Sequence, residues 1–381
     1  MRIAWRFGAA DALKFDLRSE ASPLAHPVAW PELPARGSAR VPSSLPWQPQ
    51  RPEVDQAARA DTHILLPDQR PRTADPGRVT ILLCTHNGAP FLETQLQSLS
   101  AQTHANWRLV VSDDGSADGT RQILEHYSIQ RPQSQVDIRH RAQALGAIAN
   151  FMSLLCDGDI VGDFFACCDQ DDVWWQDKLE RALQWLHTVP EHVPAVYFSR
   201  TRNVDASGNT IGCSPLFRRP PSFRNALVQS IGGGNTMVFN RAAQALLVAA
   251  GPVDVASHDW WTYLLVSGAG GSVHYDPNPS LDYRQHGANQ IGANQGLRAR
   301  LKRARMVAGG QLAVWFDRHT TALVQCAHLL TDENRQLLGE FGAMRSGSIA
   351  ERIAAWSRLR PYRQSFMAQS LLFVALLANK V

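Results

Sequence analysis

The sequence predicts an α/β protein with a mostly parallel, Rossmann-like sheet. Between residues 78 and 195, four apolar segments typical of strands alternate with four segments of helical periodicity. Such alternation forms βαβ units, in which ligand-binding residues follow the carboxyl ends of the strands. The composition supports a buried core, because 44% of the 381 residues are apolar and only 19% are charged.

The first predicted strand is Val79–Thr85, a continuous apolar run that ends at the turn signal His86-Asn87-Gly88. Leu92, Leu96 and Leu99 then share one face of a helix. The other predicted strands of this region are Arg108–Ser112, Val136–Arg141 and Phe164–Cys168. The later helices are marked by Ile123, Leu124 and Tyr127, by Phe151 and Leu155, and by Leu179–Leu186. Beyond Ala195, strands are expected at Val196–Arg200, Met237–Phe239 and Gly271–Tyr275.

The flanking regions differ from this α/β domain, which we place at residues 78–296. Residues 1–77 are rich in Pro, Ala and Arg, and because proline interrupts regular structure we expect a poorly ordered N-terminal extension. Residues 297–381 form a helical, basic C-terminal arm, with 13 Lys or Arg against 5 Asp or Glu. The formal net charge of the whole chain is only +4 at pH 7, which gives no indication of a nucleic-acid partner. Six cysteines without a CxxC pair favour a reducing compartment and disfavour a zinc ribbon.

Three acidic clusters stand where predicted strands end: Asp113-Asp114, Asp169-Gln170-Asp171-Asp172 and His258-Asp259. One such cluster is an ordinary turn or helix cap, but three on one face repel each other unless a cation lies between them. In an extended segment, Asp169 and Asp171 point to the same side and offer hard oxygen ligands for Mg²⁺ or Mn²⁺. The alternative is that Asp171 or Asp172 caps a helix starting near Trp174.

Six motifs, in order along residues 79–292, resemble those of the family 2 glycosyltransferases, which have the GT-A nucleotide-diphospho-sugar transferase fold. They are VTILLCTHNGAPFLETQLQSL, VVSDDGSADGT, CDQDDVWWQDKL, GGGNTMVFNR, HDWW and YRQHGANQIG. CDQDDVW, HDWW and YRQHG are most similar to the rhamnosyltransferase branch, which builds bacterial surface polysaccharides.

The resemblance implies a role for each matching residue. Asp259 would be the catalytic base, and Asp113 would accept the N3–H of a uracil or thymine base. The nucleotide-sugar site would comprise Thr85, Asn87, Asp113, Asp114, Gly146 and Asp169. The metal would be held by Asp169, Asp171 and His286. The acceptor would meet Gly234, Asn235, His258 and Trp260.

The implied reaction is an inverting, metal-dependent transfer of a sugar, expected to be L-rhamnose from dTDP-L-rhamnose, to a saccharide or lipid-linked saccharide. A UDP-hexose or UDP-N-acetylhexosamine donor is the alternative within the class. A nucleotidyltransferase is disfavoured because HNGAPFLE carries no Lys or Arg, and a non-catalytic glycan-binding scaffold is disfavoured because all four key aspartates are present.

The C-terminal arm predicts a peripheral contact with an anionic membrane. Its basic cluster is Arg298, Arg300, Lys302, Arg303 and Arg305, and its later run SFMAQSLLFVALLA is apolar. The alternative is a helix that packs on the sheet with its charges in solvent. We expect a cytoplasmic protein, and a peripheral position on the inner face of the plasma membrane stays open beside the packed-helix alternative.

Overall fold

The computed structural model describes residues 77–285 and 310–380, and its described part contains one sheet of nine strands. The strands are β1 (Val79–Thr85), β2 (Trp107–Asp113), β3 (Val136–His140), β4 (Phe164–Cys168), β5 (Val173–Trp174), β6 (Ala195–Val204), β7 (Thr210–Cys213), β8 (Val238–Asn240) and β9 (Ser272–Arg284). They lie in the order β3-β2-β1-β4-β8-β6-β9-β5, with β7 beside β6. The expected N-terminal extension lies outside the described residues, apart from Gly77.

Seven helices connect or follow these strands in the α/β part: α1 (Ala89–Ser100), α2 (Thr120–Ile129), α3 (Ala147–Leu155), α4 (Lys178–Leu186), α5 (Phe223–Ala226), α6 (Arg241–Ala250) and α7 (His258–Gly268). The C-terminal part contains α8 (Gln311–Gln325), α9 (Asp332–Ser346), α10 (Ile349–Leu359) and α11 (Phe366–Leu377). None of these helices has the length and apolarity needed to cross a bilayer.

The predicted α/β fold class is confirmed. Strands β1 to β4 are mutually parallel, as the βαβ pattern requires, and β8 then joins β4 in the antiparallel direction. The strand expected at Gly271–Tyr275 is much longer in the structure, where β9 runs over Ser272–Arg284. The expected strand ended early because Asp276-Pro277-Asn278-Pro279 is typical of a turn. In the structure, β9 continues through these prolines, and an irregularity between Ser199 and Arg200 of β6 absorbs the extra residues.

The two faces of the sheet are covered by separate apolar cores. Leu82 and Cys84 of β1 face one core, and Val79, Ile81 and Leu83 face the other, as expected for a strand buried on both sides. Each fully buried aliphatic side chain of this kind contributes about 1.5–3 kcal/mol to folding.

The C-terminal helices share the first of these cores. Phe316 of α8 and Phe341 of α9 belong to the same cluster as Trp260 and Trp261 of α7. The described part of the arm therefore packs on the α/β part. Residues 286–309, including the basic cluster at 298–305, lie outside the described residues, and the boundary placed at residue 296 stays a prediction.

Candidate active site

The turns after β1, β2 and β4 lie at one edge of the sheet. Thr85 pairs with Asp113 across β1 and β2, and Leu83 pairs with Cys168 across β1 and β4. Because the three strands are parallel, the segments that follow them are neighbours. This arrangement brings the first two predicted acidic clusters together.

Asp113 is fully buried and surrounded by donors. Its carboxylate accepts bonds from the Thr85 hydroxyl at 3.0 Å, from Arg121 Nε at 2.9 Å, and from both the backbone N–H and the hydroxyl of Ser116. Burial alone raises the pKa of Asp113, but the bonds from Ser116, Arg121 and Thr85 outweigh it and hold the pKa below its ordinary value. Asp113 is thus an anion that fixes the end of β2, and its direct contact with a base stays a prediction.

Asp114 organises the loop before α3. Its two carboxylate oxygens accept the backbone N–H groups of Leu145 and Gly146, each at 2.8 Å. Gly146 has φ of 85°, a conformation that favours glycine, and it precedes the first residue of α3. Asp114 therefore holds this loop in place, a role that the sequence did not indicate.

The turn after β1 is held from two sides. Asn87, with φ of 49°, accepts the Ala117 N–H on its side-chain oxygen at 2.9 Å and donates its own N–H to the Ser116 hydroxyl at 2.9 Å. On the other side, the Gln170 amide accepts the His86 N–H at 2.8 Å and donates to the His86 carbonyl at 3.0 Å. Gln170 therefore joins the turn after β1 to the acidic turn after β4.

The acidic segment after β4 is a turn, so the expectation of an extended segment at Asp169–Asp171 is wrong. The expected helix near Trp174 is also wrong, since Trp174 lies in β5 and α4 begins at Lys178 after Asp177. Asp172 is not a helix cap: it is buried and accepts a bond from Asn235 Nδ2 at 2.6 Å. The reversal of the chain, which lets β5 pair with β9, explains both differences.

Asp169 lies within electrostatic reach of both Asp171 and Asp259, although Asp171 and Asp259 are 88 positions apart in the sequence. Burial raises the pKa of Asp169 to about 7, and the negative charges of Asp171 and Asp259 add to this effect. We expected Asp259 to follow a strand, but it lies in the first turn of α7, after Ser257. A carboxylate is favourable at this helix end, and the Ser257 hydroxyl donates to it.

The residues expected to meet the acceptor differ in their surroundings. His258 stacks on Phe151 with ring centroids 4.2 Å apart, and a Cβ at Gly234 would overlap the His258 ring. Burial lowers the pKa of His258, against the opposing influence of Asp259. Asn235 is buried against Asp172.

Trp260 is almost completely buried. Its Nε1 donates to the Ala226 carbonyl at 2.7 Å, and its ring lies 4.8 Å from His319 and 6.0 Å from Phe316. This packing fixes the start of α7 beside Asp259. The acceptor-binding roles of Gly234, Asn235, His258 and Trp260 stay predictions, and His286 lies outside the described residues.

A lysine that no sequence pattern indicated is buried under the acidic turn. Lys178 Nζ donates to the Asn235 carbonyl at 3.0 Å and lies 4.5 Å from the centre of the Trp174 ring. Burial lowers the pKa of Lys178 to about 7, although Cys168 and Asp172 oppose this shift. Lys178, Asn235 and Asp172 thus connect α4, the glycine-rich segment and the acidic turn. A lysine in an amphipathic helix usually faces solvent, so no local pattern marked it.

Residues 80–245 match the model of the family described as glycosyl transferase family 2. The chain is 27% identical over 275 residues to the dTDP-rhamnosyl transferase RfbG of Shigella flexneri, covering 66% of this chain and 86% of that protein. It is 31% identical over 108 residues to the UDP-Glc:alpha-D-GlcNAc-diphosphoundecaprenol beta-1,3-glucosyltransferase WfgD of Escherichia coli, covering 28% of this chain and 40% of that protein.

Among solved structures, the mannosyltransferase PcManGT from Pyrobaculum calidifontis, in complex with GDP-Man and Mn²⁺, is similar at 19% identity. That alignment has a TM-score of 0.45 and covers 80% of this chain and 86% of that one. The family match covers β1 to β8 with the turns that carry Asp113, Asp169 and Asp171, and it ends before Asp259. The α/β sheet therefore carries the similarity to glycosyl transferase family 2, and the protein is a glycosyltransferase.

Proposed function

We propose that the protein is an inverting, divalent-metal-dependent transferase of L-rhamnose from dTDP-L-rhamnose. The acceptor is a hydroxyl of a growing bacterial surface polysaccharide or of a lipid-linked saccharide. The observation that carries the reaction type is the convergence of Asp169, Asp171 and Asp259. The donor is supported by the similarity to RfbG, which extends over 86% of that protein.

The carboxylates at the acidic turn fit Mg²⁺ or Mn²⁺. Three negative side chains converge here, and burial and their mutual repulsion raise the pKa of Asp169. Within residues 77–285 and 310–380, no group of three or more His, Cys, Asp or Glu has the arrangement of a complete metal site. Two carboxylates, Asp169 and Asp171, are enough for Mg²⁺, which usually takes its other ligands from phosphate oxygens and water. Such an ion supplies positive charge beside the departing diphosphate.

In the proposed mechanism, Asp259 accepts the proton of the acceptor hydroxyl. The resulting oxygen nucleophile attacks the anomeric carbon from the face opposite the diphosphate, and the bond from this carbon to the diphosphate oxygen breaks. One displacement inverts the configuration at the anomeric carbon. Asp113 and Asp114 contribute indirectly, because they fix the β2 end and the loop at Gly146 around the donor. Thr85 and Asn87 line the same pocket in this proposal.

The second candidate donor is a UDP-hexose or UDP-N-acetylhexosamine. It is supported by the similarity to WfgD, whose name specifies UDP-Glc, although that match covers only 40% of WfgD. Uracil and thymine both carry an N3–H, so a contact with Asp113 does not separate the two donors.

The decisive experiment is a donor panel with the purified full chain. dTDP-L-rhamnose, UDP-glucose and UDP-N-acetylglucosamine are each incubated with a panel of free and lipid-linked saccharide acceptors and with Mg²⁺, Mn²⁺ or EDTA. Release of the nucleoside diphosphate is measured. The proposal expects metal-dependent turnover of dTDP-L-rhamnose, with inversion at the anomeric carbon by NMR of the product. Preference for a UDP-sugar would replace the proposed donor, and no turnover of any donor would favour a non-catalytic scaffold.

The proposed setting is the cytoplasm, with peripheral contact to an anionic membrane. The lipid-linked acceptor named for WfgD supports such a setting, because an acceptor of this kind stays in the bilayer.

A further inference from the structure

The C-terminal helices α10 and α11 expose several large apolar side chains. On α11, Phe366 is 88% exposed and Val374 59% exposed, and on α10, Ile349 is 61% exposed. Further exposed members are Met367, Leu371 and Leu377 of α11, Ile353 of α10 and Leu216 of the segment between β7 and α5. We call these residues the apolar face. Exposed apolar side chains in such a group mark an interaction site more often than isolated ones do.

Contacts between the elements bring the segments that carry these residues together. Trp356 of α10 and Phe373 of α11 meet edge to face with ring centroids 5.0 Å apart, and Arg352 of α10 donates to the Leu376 carbonyl at 3.2 Å. The backbone N–H groups of Arg218 and Arg219 both donate to the Gln364 side chain, at 3.2 and 2.9 Å. The loop that carries Leu216 is therefore fixed beside the start of α11.

The charges around the apolar face are almost all positive. From Gly347 to Val381 the chain carries five Lys or Arg and one Glu, and the segment PLFRRPP adds Arg218 and Arg219 without an acid. The one acid within Gly347–Val381, Glu351, accepts the Ser348 N–H at the start of α10, and Glu340 of α9 pairs with Arg358 at 2.7 Å. An exposed apolar face with a basic border complements an anionic bilayer, whereas a positive border opposes pairing of two identical copies.

The helix that carries most of the face is too short to span a bilayer. With 12 residues, α11 is about 18 Å long, against a hydrocarbon core of about 30 Å. Its other side is already used, since Leu372, Ala375 and Leu376 are buried in the protein. The geometry fits a helix that lies along the interface and inserts only its outer side chains.

Hydrogen bonds join the segment before α11 to α7, the helix that carries Asp259. The Tyr362 hydroxyl bonds the Ser222 hydroxyl at 2.7 Å, and the Tyr263 hydroxyl of α7 donates to the Ser222 carbonyl at 3.0 Å. Asn225 of α5 also donates to the Tyr362 carbonyl at 2.7 Å. Docking at the face would therefore hold α7 at a fixed height above the lipid.

We infer that the apolar face, together with the neighbouring Arg218 and Arg219, docks the protein on an anionic lipid bilayer. The inference deepens the proposed function and rests on it for its purpose, because a lipid-linked acceptor would reach Asp259 from that bilayer. The docking itself requires neither donor nor metal, so it can be measured separately.

The test is co-sedimentation of the full chain with phosphatidylcholine vesicles, with and without phosphatidylglycerol, at low and high salt. The parent chain should bind the anionic vesicles, with binding that weakens as salt is added. Phe366→Ser/Val374→Ser should weaken this binding at least about tenfold. Arg218→Ala/Arg219→Ala should weaken it roughly fivefold for each arginine at low salt.

The matched control is Ile129→Ser, which removes a comparably exposed apolar side chain from the end of α2, outside the apolar face. It should bind vesicles like the parent. Transfer to a soluble acceptor, measured in parallel, should be unchanged in all these variants, which separates failure of docking from failure of the proposed chemistry.

Three results would overturn the inference. The first is no sedimentation of the parent with anionic vesicles. The second is equal binding by the Phe366→Ser/Val374→Ser variant and the parent. The third is a parent that is dimeric by light scattering while this variant is monomeric, because the apolar face would then serve self-association.

Discussion

Gln170 holds the backbone of His86 on both sides, accepting its N–H at 2.8 Å and donating to its carbonyl at 3.0 Å. These two bonds join the turn after β1 to the turn that carries Asp169 and Asp171. Gln170→Ala should release the β1 turn and weaken dTDP binding, measured by calorimetry with Mn²⁺, by about 5–150-fold, since each of the two lost bonds contributes about 0.5–1.5 kcal/mol. Gln130→Ala, at an exposed glutamine after α2, is the control and should bind like the parent.

Asp259→Asn should lower kcat by about 10²–10⁴, because the amide cannot accept the hydroxyl proton. Calorimetry should show unchanged dTDP binding, since the proposed role concerns only the acceptor. Asp254→Asn is the matched control, because Asp254 lies nearby in the sequence and pairs at the surface with Arg318. Retention of full kcat by Asp259→Asn would exclude it as the base.

Asp169→Asn and Asp171→Asn should each weaken Mn²⁺ binding at least about tenfold, because the number of carboxylate charges largely sets the affinity of such sites. Electron paramagnetic resonance of free Mn²⁺ measures this in the presence of dTDP and without any donor turnover. Asp177→Asn, four residues before Arg181 and exposed, should leave the affinity unchanged. Parent-like Mn²⁺ affinity in both variants would remove the acidic turn from the metal site.

Asp172 should affect stability rather than metal binding. Burial and the charges of Asp169 and Asp171 raise its pKa, which favours the protonated acid, and asparagine has nearly the same shape as that form. Asp172→Asn should therefore change the free energy of unfolding by less than about 1 kcal/mol. Asp172→Ala should cost about 1–3 kcal/mol, because it leaves the Asn235 amide buried without its acceptor. Urea unfolding followed by circular dichroism compares the two, and equal losses would contradict this assignment.

His319 should make the fold sensitive to acid. Burial lowers the pKa of His319 to about 3, the neighbouring Arg318 adds to this effect and Asp254 opposes it. Neither ring nitrogen forms a hydrogen bond within the described part of the chain. The unfolded chain takes up the proton near pH 6.5 and the folded chain does not, so stability is complete above pH 6.5 and falls as the pH is lowered towards 3.

His319→Phe should remove this share of the pH dependence, which amounts to at most about 1.4 kcal/mol per pH unit. Thermal unfolding between pH 5 and pH 8, compared with the parent, measures it. A variant that loses as much stability as the parent between pH 7 and pH 5 would show that another group is responsible.

The sequence was sufficient to predict the βαβ region and the meeting of the segments that carry Asp113-Asp114 and Asp169–Asp172 at one edge of the sheet. Both follow from local patterns: buried strands such as Val79–Thr85 are continuous apolar runs, and the segments after parallel strands must meet at one edge. The sequence also marked Asp259 as part of an acidic cluster at a strand end, but it lies in the first turn of α7, and its role as base comes from the family resemblance alone.

The parts that could not be predicted depend on contacts between distant residues. The bond from Asn235 to Asp172 spans 63 positions, and that from Lys178 to Asn235 spans 57, so neither leaves a periodic signal. The turn at Asp169–Asp172 and the strand at Val173–Trp174 form because β9 is available as a partner. Likewise, the length of β9 is set by its pairing with β6 across Pro277 and Pro279.

The packing of Trp260 between α5 and α8 has a consequence for protein engineering. Phe316 and His319 contact the ring of the residue next to Asp259, so the proposed base is oriented from the far side by the C-terminal helices. A chimaera that exchanged these helices to alter acceptor choice would also change the side chains that pack on Trp260, beside Asp259. Such a graft would have to transfer α5, α7 and α8 together as one module.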